Sequence, residues 1–241
     1  MFSVGYLLIA VVDFALLVWA IKLCRQFPTP SVILATVPLL LLWFDNVTVG
    51  LGSTLGEGQP LLAMNYVRFM AHYLLLPTAF ICIGSMAKQA DFAIARYKAF
   101  TGSLCLLAVY FMYHDVSLFL QNTFYPSCFA DTLRYTTHIA EHTACGPDAE
   151  IGIGQRILPI PAVTMSFAML ILGVSLWIKL GWKWLFVGTV AALPLFAVPQ
   201  TNTGGIVGNA GEPIISAAIL LTAAWLSGWR GGPGNKAAET S

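Results

Sequence analysis

At 241 residues, 58% of them hydrophobic and only 10% charged, with a mean hydropathy of +0.77, the chain has the composition of an integral membrane protein and excludes an ordinary soluble domain. A formal net charge of +1 gives no pull toward nucleic acid, so the useful charge information lies in how Lys and Arg are shared among loops. The length suits one helical bundle and little else.

Apolar runs of about 17 to 25 residues are long enough to cross a ~30 Å hydrocarbon core. Seven such runs predict an all-α, polytopic seven-transmembrane-helix bundle as a single membrane domain over residues 1–230, with spans near 3–24, 31–52, 60–88, 96–120, 158–180, 182–198 and 213–229. The first run has no basic region ahead of it and no small-residue cleavage site before Lys22, so it reads as a span and not a removable signal peptide. Only Gly181 and its neighbours divide spans five and six, yet the roughly forty residues together are too long for one span. Residues 231–241 read as a hydrophilic C-terminal tail.

Nine of the twelve Lys and Arg residues fall on one side of this layout: Lys22, Arg25, Lys88, Arg96, Lys98, Lys179, Lys183, Arg230 and Lys236. Cytoplasmic loops carry the basic excess, which predicts an outside N-terminus and a cytoplasmic C-terminus. A bacterial inner membrane and a eukaryotic endomembrane fit this pattern equally.

The outward loops carry three features. Residues 53–59 and 200–212 are Gly-rich, and Glu57 and Glu212 each stand shortly before a Pro. Helix initiation explains both, because a carboxylate at a helix start gains roughly 0.3 to 1 kcal/mol from the dipole; a place at a pocket mouth is the other reading. The loop over 121–157 contains Cys128 and Cys145, which a bridge would join if this side is oxidising. Between them, His138, Glu141 and His142 match the H-x-x-E-H zinc motif, but no third ligand is identifiable. A solvated amphipathic helix carrying Arg134, His138 and Glu141 or His142 on one face is the simpler expectation, with no metal and no cofactor.

Within the spans, matched depth is the main signal. At ~1.5 Å per residue, Asp45 lies roughly 10 Å below the outer end of span two and Arg68 roughly 12 Å below the start of span three, so the two are expected to pair. Asn65, Arg68 and His72 form a polar stripe at i, i+3, i+7, and Tyr110, His114, Ser117 and Gln121 form another on span four, with Asp115 beside it. Asp13 sits near mid-span. Against Asp13, Asp45 and Asp115 stands one fixed cation, Arg68, so two carboxyls need an imidazole, a bound cation or a proton. Groups poised in this way suit acid catalysis or proton transfer.

Several seven-helix alternatives are disfavoured. Span seven has no Lys for a retinal Schiff base, and no span holds a His pair one turn apart for an embedded zinc. No phosphate loop, dinucleotide fingerprint or nucleophile elbow is present.

The length, the seven predicted spans and the acids near the end of span two and in span seven resemble the small integral-membrane terpene cyclases of the fungal meroterpenoid type. In that family a carboxylic acid protonates an isoprenoid epoxide or alkene, and aromatic walls hold the developing cations. The resemblance implies Glu212 as the span-seven acid and either Asp45 or Glu57 as the span-two acid. It covers the layout of the whole chain and no local motif.

The expectation drawn from these residues is an outward-facing polar pocket for acid–base catalysis on a lipid or isoprenoid-like substrate. Asp45, His72, His114, Asp115 and Glu212 are its candidate catalytic residues, and Asn46, Asn65, Arg68, Tyr110 and Ser117 line the pocket. A proton or cation transporter and an accessory subunit with membrane-protein partners are the alternatives. Membrane lipids and a hydrophobic small molecule are the partners implied.

Overall fold

The computed structural model describes residues 1–198 and 205–234. Residues 200–204 of the Gly-rich stretch expected over 200–212, and residues 235–241 of the tail expected over 231–241, lie outside the described residues. The fold is mostly helical. Helices α1 (Phe2–Gln26), α2 (Pro30–Leu55), α3 (Gln59–Leu75), α4 (Thr78–Gln89) and α5 (Lys98–Gln121) lead to a small β-hairpin, and α6 (Ile160–Leu180), α7 (Trp184–Ala197) and α8 (Ile206–Leu226) follow.

Six runs among the described residues are long and apolar enough to cross a membrane: α1, α2, α3 with α4 taken together, α5, α6 and α8. Helix α7 is apolar but only 14 residues long. Large apolar side chains are bare on the outer surface of the bundle, among them Leu8, Leu106 and Ile178, the last 82% exposed. That is the surface a lipid solvent calls for.

Helix α2 is central, packing against α1, α3, α4 and α8. The expected third span is divided at Leu76 and Pro77, because Pro77 has no N–H to donate back along the helix. Helix α8 starts at Ile206, seven residues before the predicted boundary, so Glu212 lies inside a helix and not at its first turn. The Gly-rich sequence reads as loop, but its Gly211 serves packing. A Cβ at Gly211 would come within 2.9 Å of the Phe196 ring, and one at Gly188 would overlap the Ala218 side chain, so α7 and α8 approach closely through small residues.

The two ends of the bundle differ. At one end the segment over 121–157 forms the hairpin β1 (Tyr125–Phe129) and β2 (Thr132–Thr136), paired antiparallel from Tyr125 opposite Thr136 to Phe129 opposite Thr132. The amphipathic helix expected there is absent. Arg134 is on a strand, His138 bridges to Gly154, and only Glu141–Thr143 makes a single 3-10 turn. Alternating Thr, Leu, Arg, Tyr and Thr suits a half-buried strand better than a helix. Cys128 and Cys145 are joined by a disulfide with their Cα atoms 4.8 Å apart, as the sequence allowed. The hairpin rests on α2 at Gly52, where any Cβ would overlap the Leu133 carbonyl. Further ties run from the Phe2 amide to Asp131 Oδ1 (2.7 Å), from Ser3 Oγ to the Asp131 carbonyl (2.9 Å), and from the Gly58 amide to the Tyr135 hydroxyl (3.2 Å).

The opposite end gathers the Lys- and Arg-rich connections. There Ser31 Oγ donates to Gln89 Oε1 (2.6 Å), Thr29 and Ser227 hydroxyls lie 2.6 Å apart, and the Trp182 and Trp225 rings stack at 4.4 Å.

Candidate functional site

The hairpin-end half of the bundle encloses a polar cluster on four helices. Asp13 of α1, Asp45 and Asn46 of α2, Asn65 and Arg68 of α3, and Asn209 and Glu212 of α8 all belong to it. Asp13, Asp45 and Arg68 sit roughly 15 Å from the hairpin-end termini of their helices, and Glu212 roughly 9 Å from its own, at ~1.5 Å per residue. Asp13, Asn46 and Asn65 are completely buried and Asp45 is 2% exposed.

Arg68 Nε donates to Asp45 Oδ1, forming the ion pair that matched depth predicted. Arg68 Nη1 donates to Asn65 Oδ1 at 3.2 Å, and Asn65 Nδ2 donates to the Leu61 carbonyl at 2.8 Å, which fixes the carboxamide. Asn209 Nδ2 donates to both Asp45 Oδ2 and Asn46 Oδ1, at 3.1 Å each. Asn46 Nδ2 in turn donates to Asp13 Oδ2 at 2.9 Å and to the Leu42 carbonyl at 3.0 Å. Glu212 also hydrogen-bonds Asn46. One carboxamide thus connects two acids from different helices.

Two carboxyl oxygens are left over. Asp13 Oδ1 and Glu212 Oε2 are buried and have no hydrogen-bond partner among the described residues. Since a buried, uncompensated carboxylate costs several kcal/mol, a proton or a cation must neutralise what Arg68 does not. No group of three or more His, Cys, Asp or Glu among the described residues is arranged to hold a metal ion.

His72 lies one turn beyond Arg68 on the same stripe, its Nδ1 3.1 Å from the Arg68 carbonyl. A carbonyl can only accept, so Nδ1 carries the hydrogen and Nε2 of the neutral ring is the acceptor. His72, Asp13 and Glu212 all lie within electrostatic reach of Asp45.

The second predicted stripe is organised separately. His114 Nδ1 donates to Asp115 Oδ1 at 2.9 Å on α5, with Asp115 buried and the His114 side chain 42% exposed. Among the described residues no hydrogen bond or ion pair joins His114 or Asp115 to Arg68 or His72, although Tyr73 stands close enough to feel the charges of both Arg68 and Asp115. Tyr110 is 58% exposed, with its ring against Phe111 and His114, and Ser117 is half-buried. Glu57 is exposed in the α2–α3 connection. His138 Nδ1 is taken by the Ile153 and Gly154 carbonyls at 3.1 Å each, and the His142 ring packs edge-on against Phe129.

Two contributors were not anticipated. Asn209 is one turn before Glu212, at i and i+3, and would have stood out had α8 been started at Ile206. Arg134 comes from the hairpin and is 6% exposed, with its guanidinium 4.1 Å from the Phe129 ring centroid and Tyr6 as a hydrogen-bond partner. Burial pulls its pKa below the usual arginine range, and the neighbouring Tyr6 opposes that shift. It brings a second guanidinium within electrostatic reach of Asp45.

Comparisons against protein-family models, curated proteins and solved structures find no match to this chain.

Proposed function

We propose that the chain is a seven-span integral membrane enzyme performing acid–base chemistry on a lipid-like, isoprenoid-type substrate. The observation that carries this reading is the pair of buried, unpartnered carboxyl oxygens of Asp13 and Glu212, held about a shared Asn46 beside the Asp45–Arg68 ion pair. Protonated carboxyls so placed are general acids, and His72 Nε2, one turn along α3 from Arg68, is the base. Arg68, Asn65 and Asn209 fix Asp45 and are positioning residues. Glu212 matches the span-seven acid that the resemblance to the meroterpenoid cyclases implies, and Asp45 the span-two acid.

The disulfide-linked hairpin at one end and the basic connections at the other support an oxidising outer face on the hairpin side and a cytoplasmic C-terminus. Helix α7 is the seventh span in this reading, shortened within its sequence 184–197. A proton-relay function is disfavoured, because below the cluster α2 and α8 meet α4 through Leu39, Ala35, Val32, Phe80, Met86, Leu220 and Ala223.

The test is deuterium transfer. The protein in lipid nanodiscs is incubated in D2O with a panel of polyprenyl alkenes and epoxides, and carbon-bound deuterium in the products is read by mass spectrometry. Wild type is expected to give cyclised or isomerised product, carrying carbon-bound deuterium from the alkenes and none from the epoxides, whose oxygen takes the exchangeable proton, with Glu212→Gln reducing turnover at least about a hundredfold, the scale of a lost general acid. Turnover undiminished in Glu212→Gln and Asp13→Asn, or no product across the panel, would overturn the proposal.

A further inference from the structure

The basic end contains a pocket that the acid–base cluster does not use. It has a volume of about 510 Å³ and lies between the end of α4, the 3-10 turn Ala93–Arg96 and the start of α5. Its charged lining is Lys88, Asp91, Arg96 and Lys98. Arg96 is bound to Asp91 through three contacts of 2.8 to 3.0 Å, and Lys179 Nζ donates to the Asp91 carbonyl from the neighbouring helix α6. Asp91 thus neutralises one cation. Among the described residues neither Lys88 nor Lys98 forms an ion pair with a carboxylate.

The N-terminus of α5 opens beside the same pocket. No side chain caps it and no acidic residue lies in its first turn, so its free amides and positive dipole end add to the two lysines. Thr101 supplies a hydroxyl, and Gly102 leaves one wall without a side chain. These groups together match a phosphate oxyanion.

The direction of the pocket identifies the source of the phosphate. From Thr101 and Gly102 it extends to Cys105, and the surface of α5 continues in the same direction through Leu106 (73% exposed) and Val109 (59%). An apolar strip running along a transmembrane helix away from an anion site fits an acyl chain, not a free ion. We propose that this pocket binds the phosphate headgroup of an anionic phospholipid, with an acyl chain lying along Leu106 and Val109. The site is distinct from the acid–base cluster and lies at the opposite end of the bundle.

The full chain is placed in nanodiscs of equal phosphatidylglycerol and phosphatidylcholine, and the lipid retained on the released protein is read by native mass spectrometry. Retention of phosphatidylglycerol over phosphatidylcholine is expected. The double substitution Lys88→Gln and Lys98→Gln should weaken that preference by roughly fivefold per lysine, about 25-fold for the pair. Lys22→Gln, at the same end but outside the pocket, should leave it unchanged. Gly102→Phe is a second probe: a Cβ there meets nothing within 4 Å, so the ring can enter the pocket without disturbing the helix, and retention should be lost. Equal retention of the two lipids, or a preference that survives both the double lysine substitution and Gly102→Phe, would overturn the proposal. So would loss of the bound lipid to millimolar inorganic phosphate, which would mark a free-phosphate site.

Discussion

Toward the hairpin, α1, α2, α3 and α8 meet through Asp13, Asn46, Asn209, Asp45 and Arg68, each tied to the next by a side-chain hydrogen bond. Toward the basic end the same α1, α2 and α8, now with α4, meet through Leu17, Ala35, Leu39, Phe80, Met86 and Leu220. In a bilayer these contacts differ in kind. Apolar helices gain little hydrophobic free energy by leaving lipid for one another, so the lower half depends on close packing. The upper half is held by bonds whose loss leaves charge stranded in a low dielectric. One half is sensitive to changes of shape, the other to changes of charge.

The largest effect expected from breaking that contrast is at Arg68. Arg68→Leu leaves Asp45 buried and uncompensated, a loss on the order of 3 to 5 kcal/mol. Thermal unfolding in detergent should show it, and adding Asp45→Asn should restore most of the stability. A single Arg68→Leu variant as stable as wild type would show that Asp45 is neutral without its partner. In the apolar half, Leu39→Ala at a fully buried position should cost about 2 to 5 kcal/mol by the cavity it leaves, with no rescue by any charge change.

How much of this contrast could be read from sequence follows from the kind of signal each part leaves. The Asp45–Arg68 pair was legible because two rare intramembrane charges at matched depth on consecutive helices have few other partners. The start of α8 was not, since Gly208 and Gly211 look like loop residues until their Cβ-free surfaces are seen against α7. That one boundary hid Asn209 and misplaced Glu212 at a helix end. Arg134 was hidden for another reason. The hairpin's five-residue strands are too short for a strong period, and a basic residue in a long polar loop gives no sign that it will fold back over Tyr6 of α1. Tyr110, His114, Ser117 and Gln121, with Asp115 beside them, were expected to face the pocket, but periodicity gives a face and not its neighbour, and Tyr110 and Gln121 are exposed.

The hairpin is the cover of the polar half, and its disulfide closes a loop with a sequence separation of 17 residues. Replacing Cys128 and Cys145 by Ser should cost the hairpin about 3 kcal/mol in the loop-entropy account. Limited proteolysis between 137 and 157 would accelerate while the helices remain resistant. If cleavage is unchanged, the anchors at Gly52, Asp131 and Tyr135 are sufficient to hold the cover. Smaller again is Asn209→Ala, which removes two hydrogen bonds to Asp45 and Asn46 and should cost about 1 to 3 kcal/mol, again read by thermal unfolding.

The smallest expected effect is the most informative. Glu212→Gln keeps the size and the hydrogen-bonding capacity of the side chain and removes only its ability to ionise. If Glu212 carries a proton in the resting protein, the amide replaces a neutral acid of the same shape, and stability should stay within about 0.5 kcal/mol of wild type. If Glu212 is ionised, the substitution removes a buried negative charge with an unpartnered oxygen and should stabilise the bundle by one or more kcal/mol, since the cost of burying that charge is lifted. The two outcomes separate a stored proton from a stored charge without reference to any substrate. Difference infrared spectroscopy provides the direct check: a carboxylic-acid C=O band that shifts in D2O and disappears in Glu212→Gln identifies the proton and its owner. With the same band still present in Glu212→Gln but absent in Asp13→Asn, the proton would belong to Asp13 on the other side of the shared Asn46.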